Sequence, residues 1–243
     1  MIKTCMDNVR EKAPLVHNIT NYVTVNDVAN VLLACGGSPI MSDEPDDVED
    51  ITSICVGLNI NIGTLNKRTI ESMFLAGKKS KALGHVLLLD PVGAGASKLR
   101  TETAVKILDE LKPDVIRGNI SEIKTLALGS GTTRGVDADV ADAVTESTLD
   151  NAVAFAKNFA AKTGSIIAIT GAIDLVADAE NCYVIRNGRA EMGMPAFRHD
   201  DGVPCSNPGK QAGSCSCSGV RYGTCRRDRL EPHGRRRWEF NVS

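Results

Sequence analysis

Short runs of apolar residues alternate with longer amphipathic segments along the first 195 residues of this 243-residue chain. Residues 86–90 (VLLLD) and 165–170 (SIIAIT) are typical of buried strands, whereas residues 66–83 and 150–163 have the apolar spacing of helices. Buried strands separated by helices of about ten residues or more are characteristic of a parallel sheet covered by helices. The predicted fold class is therefore α/β, with a mostly parallel central sheet and helices on both faces.

The remaining elements continue this alternation. Further helices are predicted at residues 4–12, 21–35, 101–112 and 121–128, and further strands at 53–61, 115–119 and 181–186, the last followed by a hairpin turn at Asn187-Gly188. In open sheets of this kind, ligands bind beyond the carboxyl ends of the strands. Candidate functional residues are therefore expected just after each strand.

The composition does not indicate a membrane or secreted protein. No run approaches the roughly 18 apolar residues of a membrane helix, and the opening residues MIKTCMDNVREKAP lack the apolar centre of a signal peptide. Four scattered cysteines are interpreted as small core residues in a reducing compartment: Cys5, Cys35, Cys55 and Cys182. We therefore expect a cytoplasmic protein with no membrane partner.

A glycine-rich turn follows the predicted strand at 86–90. In Asp90-Pro-Val-Gly-Ala-Gly-Ala-Ser97, Gly93 and Gly95 allow the backbone to approach a ligand, and successive N–H groups can hold an anion. Asp90 would lie at the mouth of the sheet, where a carboxylate can hold hydrated Mg²⁺. A tight strand-to-helix turn with a capping Asp explains the same residues without a ligand.

Polar residues also follow the strands at 115–119 and 165–170. Asn119 and Glu122 lie three residues apart at a helix start, a spacing that suits a metal–phosphate site or a plain helix entry. Arg117 is either a fork for phosphate or a solvated charge. Thr170 suits a contact with phosphate or ribose, or a simple turn.

The segment PLVHNITNY, residues 14–22, places several polar residues together near the start of the chain. Asn18 and Asn21 are suited to hydrogen-bonding a small polar substrate, whereas His17 is more often structural than catalytic in such a setting. Met41, in SPIM, more commonly belongs to a core than to the wall of a ligand site.

Six segments, taken in order, resemble one family: HNITNYVTVNDVAN, GGSPIM, NIGTL, LDPVGAGAS, IRGNISEI and ITGAIDLV. They are similar to the successive motifs of the hydroxyethylthiazole kinase family, within the ribokinase-like superfamily, and the resemblance covers about residues 1–195. It implies a three-layer ribokinase-like fold, Mg²⁺, and ATP-dependent phosphorylation of the hydroxyl of 4-methyl-5-(2-hydroxyethyl)thiazole in thiamine biosynthesis or salvage. It also implies a homotrimer with active sites at subunit interfaces.

The same resemblance implies roles for individual positions. It implies substrate contacts for Met41, Asn18, Asn21 and Gly63, ATP contacts for Arg117 and Thr170, and a place near the metal and phosphates for Asp90 and Glu122. Two other functions stay open at this point. One is a ribokinase-like kinase that acts on hydroxymethylpyrimidine or a sugar, and the other is a non-catalytic protein that binds thiazole or nucleotide.

Residues 196–243 differ in composition from the rest. The first 195 residues have six more acidic than basic residues, whereas residues 196–243 have four more basic than acidic ones and hold four of the eight cysteines. The family continues at this point with a loop of the type Thr-Gly-Thr-Gly-Cys, whose amides stabilise the transferred phosphate. Residues 196–205 lack that loop, so we transfer no catalytic role to Cys205 and assign no catalytic residue.

A displaced reading frame accounts for this change. Back-translated and shifted by one base, KQAGSCSCS at residues 210–218 permits Asn-Lys-Leu-Glu followed by five alanines, and the next residues permit an Ala-rich helix like that of the family. We therefore predict a kinase domain at residues 1–195 that is incomplete on its C-terminal side, and an out-of-frame, disordered tail at residues 196–243. The chain as written is expected to be a weak or inactive kinase.

Two rival interpretations of the tail have less support. The spacing of Cys215, Cys217, Cys225 and His233 matches no usual zinc site. The arginine cluster at residues 226–237 is typical of nucleic-acid binding, but the acidic first 195 residues argue against such a partner.

Overall fold

Eight strands form a single sheet in the computed structural model, which describes residues 2–129 and 143–186. The strands are β1 (Leu15–Ile19), β2 (Ser38–Met41), β3 (Gly57–Asn61), β4 (Val86–Asp90), β5 (Val115–Asn119), β6 (Ile166–Thr170), β7 (Asp174–Ala177) and β8 (Cys182–Ile185). The helices within those ranges are α1 (Ile2–Lys12), α2 (Val25–Cys35), α3 (Val48–Ile54), α4 (Lys67–Ala82), α5 (Lys98–Leu111), α6 (Ile120–Gly129) and α7 (Leu149–Thr163).

The strand order across the sheet is β2-β1-β3-β4-β5-β6-β7-β8. Strands β1 to β6 pair in parallel, and β7 and β8 pair antiparallel at one edge. The predicted α/β fold with a mostly parallel sheet is thereby confirmed. The chain runs outward from β1 to β2 and then returns to β3 on the other side of β1, so a topological switch point lies between β1 and β3. Ligands of open α/β sheets bind at such points, beyond the carboxyl ends of the strands.

Helices cover both faces of the sheet, as predicted. On one face, Leu58, Leu89 and Ile116 belong to the main core, to which α4, α5, α6 and α7 all contribute. On the other face, Val16 of β1 packs against Val28 and Leu32 of α2. The sheet is therefore the middle layer of three.

A separate apolar cluster lies on the second face of the sheet. Among the described residues it consists of strand side chains only, and we call it the strand cluster: Leu88, Val115, Ile166, Ala168, Val176 and Ile185, with Tyr183 packed against them. These positions alternate along β4, β5 and β6 with the residues of the main core, as the period of two in a strand requires.

Local signals set several helix ends. Asn66 forms a capping box with Thr69 at the start of α4, in which each side chain accepts a hydrogen bond from the backbone amide of the other residue. At the end of α2, Gly36 adopts the left-handed conformation (φ 89°), which favours glycine because it has no Cβ. The predicted helix bounds at 66–83 and 150–163 therefore agree closely with α4 and α7.

Several regions differ from the sequence-based prediction. Strands β1, β2 and β7 were not predicted, and α2 begins at Val25 rather than at residue 21. Residues 53–61 were predicted as one strand, but α3 occupies Val48–Ile54 and the strand begins only at Gly57. Val48 and Thr52, one helical turn apart, are both buried, and this spacing outweighs the β-branched composition of the segment. Strand β8 is confirmed within 181–186, but it pairs back with β7 through a turn in which Asp178 accepts from the amides of Glu180 and Asn181.

Several predictions fall beyond the residues that can be compared. The turn at residues 187–188 and the whole of residues 196–243, including Cys205, lie outside the described residues.

Of the four scattered cysteines, three are buried and Cys182 is half-buried, and none of the four is in a disulfide. No helix in the described ranges is both long and apolar enough to cross a membrane.

Candidate active site

A row of buried polar side chains crosses three strands at their carboxyl ends. Asn61 of β3 and Arg117 of β5 both donate hydrogen bonds to Asp90 of β4, at 3.0 Å and 2.9 Å from its Oδ2 atom. Asp90 is 1% exposed and Arg117 is 9% exposed. Removing two opposite charges from water is costly, so such a pair needs further partners or a function. We therefore take this row as the centre of the candidate site.

The alternation of side chains along the strands places these residues on one face. On β3, Leu58 and Ile60 point into the main core, and Asn59 and Asn61 occupy the opposite face. The register pairs Asn61 with Asp90, so their side chains meet across the strands. Arg117, which the sequence left as either a phosphate fork or a solvated charge, is buried and paired.

The polar row continues toward the switch point through Asn21 and Gly63. Asn61 Oδ1 accepts from Asn21 Nδ2 at 3.1 Å and from the Gly63 amide at 2.9 Å. A Cβ added at Gly63 would lie 2.9 Å from the Asn21 Cβ, so glycine is required there by close approach. The structure thus brings together two of the predicted substrate residues, and Asn61 is the residue that joins them to Asp90.

Asn18 and Met41 lie beside each other in register on β1 and β2. The Asn18 side chain donates from Nδ2 to the Val16 carbonyl at 2.9 Å, and its Oδ1 atom accepts from Asn59 Nδ2 at 3.2 Å. Met41 is half-buried and packs against the cluster of Val16 and α2. Both side chains therefore have structural contacts, and their contact with a substrate stays a prediction.

His17 has a structural role, as the sequence suggested. It points to the other face of β1, where Nε2 donates to the Ser42 carbonyl at 2.9 Å and Nδ1 lies 2.9 Å from Thr52 Oγ1. Burial lowers the pKa of His17, which favours the neutral imidazole. It ties β1 to α3 and to the segment after β2.

Glu122 fastens the glycine-rich loop to the start of α6. Its Oε1 atom accepts from the Gly93 amide and its Oε2 atom from the Asn119 amide, each at 2.9 Å. Asn119 Oδ1 in turn accepts from the Glu122 amide at 2.9 Å. The helix-entry interpretation of this pair is confirmed, and the same bonds place the Glu122 carboxylate beside the loop that follows Asp90.

The loop at residues 90–97 needs its glycines for a conformational reason. Gly93 (φ 73°) and Gly95 (φ 92°) are both in the left-handed region. A Cβ at Gly95 would also lie 2.8 Å from Thr125 Oγ1 of α6. The tight strand-to-helix turn is confirmed, but the residue that caps α5 is Ser97, which accepts from the Arg100 amide, and not Asp90. Binding of an anion by the amides of the loop stays a prediction.

Thr170 lies next to Asn119 in the β5–β6 register, where its hydroxyl donates to the Gly118 carbonyl at 3.4 Å. The turn after it is held by Asp174, which accepts from the Gly171 amide at 2.9 Å. Burial raises the pKa of Asp174 to about 6, while the Gly171 amide and the charge of Arg117 act in the opposite direction. Thr170 thus reaches the same edge of the sheet as Asp90 and Glu122.

Sequence reasoning missed Asn61 and Asp174 as parts of the site. A signal for Asn61 was present, because polar and apolar residues alternate in Leu-Asn-Ile-Asn at the end of a buried strand. Asp174 gave no comparable signal, since its importance depends on burial and on the turn that it closes.

Comparison with known proteins identifies relatives of this chain. The hydroxyethylthiazole kinase family model matches residues 6–196. A hydroxyethylthiazole kinase of Clostridium acetobutylicum is 65% identical over 192 residues, which cover 79% of this chain and 70% of that protein. A second, from Ruminiclostridium cellulolyticum, is 54% identical over 187 residues, covering 77% of this chain and 67% of that protein.

Solved structures agree with this result. A hydroxyethylthiazole kinase protein from Pyrococcus horikoshii superposes with a TM-score of 0.74 at 32% identity, covering 90% of this chain and 81% of that one. A ribokinase-like superfamily protein from Enterococcus faecalis reaches a TM-score of 0.58 at 11% identity, covering 92% and 80% of the two chains, and this likeness shows the fold alone. The three-layer ribokinase-like fold is therefore confirmed, and the chain belongs to the hydroxyethylthiazole kinase family.

Proposed function

We propose that this chain provides the site for ATP-dependent phosphorylation of the hydroxyl of 4-methyl-5-(2-hydroxyethyl)thiazole, in thiamine biosynthesis or salvage. The observation that carries the proposal is the buried polar row of Asn61, Asp90 and Arg117 at the carboxyl ends of three parallel strands. Its two ends reach two different groups of loops, one near the switch point and one around Glu122. An arrangement of this kind suits an alcohol acceptor on one side and a nucleotide on the other.

The nucleotide side comprises Arg117, Thr170, Glu122 and the loop at residues 90–97. Arg117 supplies a guanidinium that is always charged and suits phosphate oxygens. Glu122 keeps Gly93 in place, so that the loop amides have a fixed direction before a ligand arrives. Preorganised donors of this kind stabilise developing charge without reorganisation, which is the main route to catalysis of phosphoryl transfer.

The residues present fit Mg²⁺ bound together with phosphates. No group of three or more ligating His, Cys, Asp or Glu side chains occurs within residues 2–129 and 143–186. Mg²⁺ requires no such cage, because one or two carboxylates, water and phosphate oxygens satisfy it, and the carboxylates of Asp90 and Glu122 are hard oxygen ligands of this type. When bound, the metal would neutralise charge on the phosphates.

The substrate side comprises Met41, Asn18, Asn21 and Gly63. Met41 and Asn18 lie in register at the end of the sheet, and Asn21 and Gly63 meet at Asn61. This group adjoins the topological switch point between β1 and β3, where ligands of open α/β sheets bind. The apolar Met41 side chain suits packing against a thiazole ring.

We also propose that the homotrimer implied by the family applies here. Tyr22 and Val23, which follow Asn21 directly, are large apolar residues that are 55% and 81% exposed. An exposed apolar pair beside the substrate side suits a subunit contact that completes the site. Sedimentation analysis of the chain would measure its mass. A monomer at all concentrations would contradict this proposal.

We further propose a cytoplasmic location. It is supported by Cys5 and Cys35, which are in no disulfide, as expected in a reducing compartment.

The domain division also stays a proposal, with residues 1–195 as the incomplete kinase domain and residues 196–243 as the out-of-frame tail. It is supported by the match of the family model to residues 6–196. Without the loop that follows in the family, donors to the transferred phosphate are missing, and the loss of such donors lowers kcat by about 10²–10³.

A test measures ATP consumption with hydroxyethylthiazole, hydroxymethylpyrimidine and a sugar as alternative acceptors. The chain as written is compared with a version in which the reading frame is restored at about residue 196. We expect the restored protein to turn over the thiazole alcohol preferentially, and the chain as written to be slower by about 10²–10³. In the chain as written, Asp90→Asn should abolish the turnover that remains. Asp109→Asn, at an exposed position on α5, should not change that turnover. Preference of the restored protein for another acceptor would refute the proposed substrate.

A further inference from the structure

Arg100, in the first turn of α5, contacts two loops of the candidate site. Its side chain is half-buried, and Nη2 donates to the Gly63 carbonyl at 2.7 Å. The same guanidinium lies against Gly93, because a Cβ added at that glycine would be only 2.5 Å from Arg100 Nη1. One side chain therefore touches both the loop after β3 and the loop after β4.

The stability of α5 does not explain this position. The N-terminus of a helix carries a partial positive charge, which favours Asp or Glu in the first turn and disfavours a cation. Within the described ranges, no Asp or Glu forms an ion pair with Arg100. The contacts that hold its guanidinium are those with the two loops.

Each of the two loops contains one glycine that Arg100 contacts, and the backbone amide of that glycine donates a further hydrogen bond. The Gly63 amide donates to Asn61, which is bonded to Asn21 and Asp90. The Gly93 amide donates to Glu122. Arg100 is thus a direct side-chain connection between the substrate-side loop and the nucleotide-side loop, in addition to the buried row and to the bond from the Ile62 amide to the Asp90 carbonyl.

We propose that Arg100 is a positioning residue that fixes these two loops relative to each other and thereby couples binding of the thiazole alcohol to binding of ATP. The inference rests on the proposed function for the identity of the two ligands. Phosphoryl transfer requires the acceptor hydroxyl and the γ-phosphate to be held in a defined mutual geometry, and small errors of placement are costly. A planar guanidinium with several fixed donors can hold two backbone segments more rigidly than a lysine can.

The first experiment measures hydrogen exchange by mass spectrometry in the ligand-free chain as written. The variants are Arg100→Gln and Arg100→Lys, and the control is Lys98→Gln, an 86% exposed cation in the same helical turn. We expect Arg100→Gln to speed exchange about tenfold in peptides covering residues 61–66 and 91–97, with partial rescue by Arg100→Lys and no change in the control. Unchanged exchange in both peptides, or an equal rise throughout the chain, would overturn the inference.

The second experiment measures coupling by titration calorimetry. The affinity for hydroxyethylthiazole is determined with and without a non-hydrolysable ATP analogue and Mg²⁺, and the ratio of the two affinities gives the coupling. In the parent chain we expect each ligand to tighten the other, and in Arg100→Gln we expect this ratio to approach one while each separate affinity changes by less than about threefold. Retention of the parent ratio in Arg100→Gln would overturn the inference. Failure of the parent chain to bind either ligand would instead overturn the proposed function, and the exchange experiment would still decide the role of Arg100.

Discussion

Asp90 holds the buried polar row together, because both Asn61 and Arg117 donate to its Oδ2 atom. Replacement by Asn preserves the shape of the side chain but removes the negative charge to which the buried Arg117 guanidinium is bonded. Breaking a buried pair in this way costs about 3–5 kcal/mol. We expect Asp90→Asn to lower the free energy of unfolding by about that amount, measured by urea denaturation.

A matched control is available in an exposed ion pair. Lys98 and Glu102 lie 3.7 Å apart on α5, with side chains 86% and 65% exposed. Because water screens such a pair, Glu102→Gln should change the free energy of unfolding by less than about 1 kcal/mol. An equal loss of unfolding free energy in Asp90→Asn and Glu102→Gln would show that the buried ion pair stabilises the protein no more than the exposed pair does.

Asp174 should make stability depend on pH. Burial raises its pKa in the folded protein from 3.8 to about 6, so folding favours the protonated form. The stabilisation that Asp174 contributes is fully present at pH values below its pKa in the unfolded chain. It is lost as the pH rises through its pKa in the folded protein. We expect the free energy of unfolding to fall by about 1–3 kcal/mol between pH 4 and pH 7 from this group.

The variant Asp174→Asn tests that expectation, because its amide oxygen can still accept from Gly171 but does not titrate in this range. The measurement is urea denaturation of both proteins at several pH values. The free energy of unfolding of the parent chain minus that of Asp174→Asn should fall between pH 4 and pH 7. Relative to the parent chain, Asp174→Asn should therefore be more stable at neutral pH than at pH 4. A constant difference from pH 4 to pH 7 would refute the assignment.

Sequence could predict which residue types lie at the strand ends, but not how they are paired. Asp90, Arg117 and Glu122 were found because each follows or ends a buried strand. Their bonding depends on the register between strands that are distant in the chain, which local patterns do not encode. For this reason Glu122 could be interpreted from sequence as a metal ligand or a helix entry, and its bond to Gly93 emerged only from the structure.

At the scale of elements, α4 and α5 approach closely at Gly77. A Cβ at Gly77 would lie 2.4 Å from the Cδ1 atom of Leu111, which is buried. Alanine is favoured over glycine in a helix by about 1 kcal/mol, but overpacking a core costs about 1–3 kcal/mol. We expect Gly77→Ala to lower the free energy of unfolding by up to about 2 kcal/mol, measured by urea denaturation.

A double-mutant cycle separates crowding from other effects. Shortening the neighbour in Leu111→Ala removes the atoms that the new Cβ would meet, so the double variant should be more stable than the sum of the single changes predicts. Additive losses would mean that the helices shift to accommodate Gly77→Ala without strain.

Element boundaries were predictable where a cap and an apolar period agree, as at Asn66 and Gly164. They were not predictable where composition and period conflict. The β-branched residues of 51–54 favour a strand, whereas the burial of Val48 and Thr52 at helical spacing produces α3. The short strands β1, β2 and β7 were also missed: polar residues interrupt the apolar pattern of β1, and β2 and β7 have only four residues each.

At the scale of the whole molecule, the strand cluster tests the reading-frame hypothesis. Its six buried residues come from strands alone among the described residues. The restored frame would supply an Ala-rich helix, and a helix packed on an apolar sheet face adds buried surface. We therefore expect the restored protein to have a higher Tm than the chain as written by at least about 5 °C, in thermal unfolding followed by circular dichroism.

The gene itself provides the decisive control for that comparison. Sequencing across the codons for residues 190–243 should reveal one base gained or lost near the point where the family-like sequence stops. An intact single frame together with equal Tm values would show that the tail is a genuine part of this protein.

The strand order has a consequence for the way the protein is made. From β4 to β8, every strand pairs with the one synthesised immediately before it, and β3 pairs with β1, which is synthesised earlier still. A growing chain folds from its N-terminus on the ribosome, and pairing between consecutive strands keeps contacts short in sequence. A frame displaced at about residue 196 is translated only after every described strand has been synthesised. Such a gene would therefore still encode every described strand in frame, so the displaced frame would change what packs on the finished sheet and not the pairing of its strands.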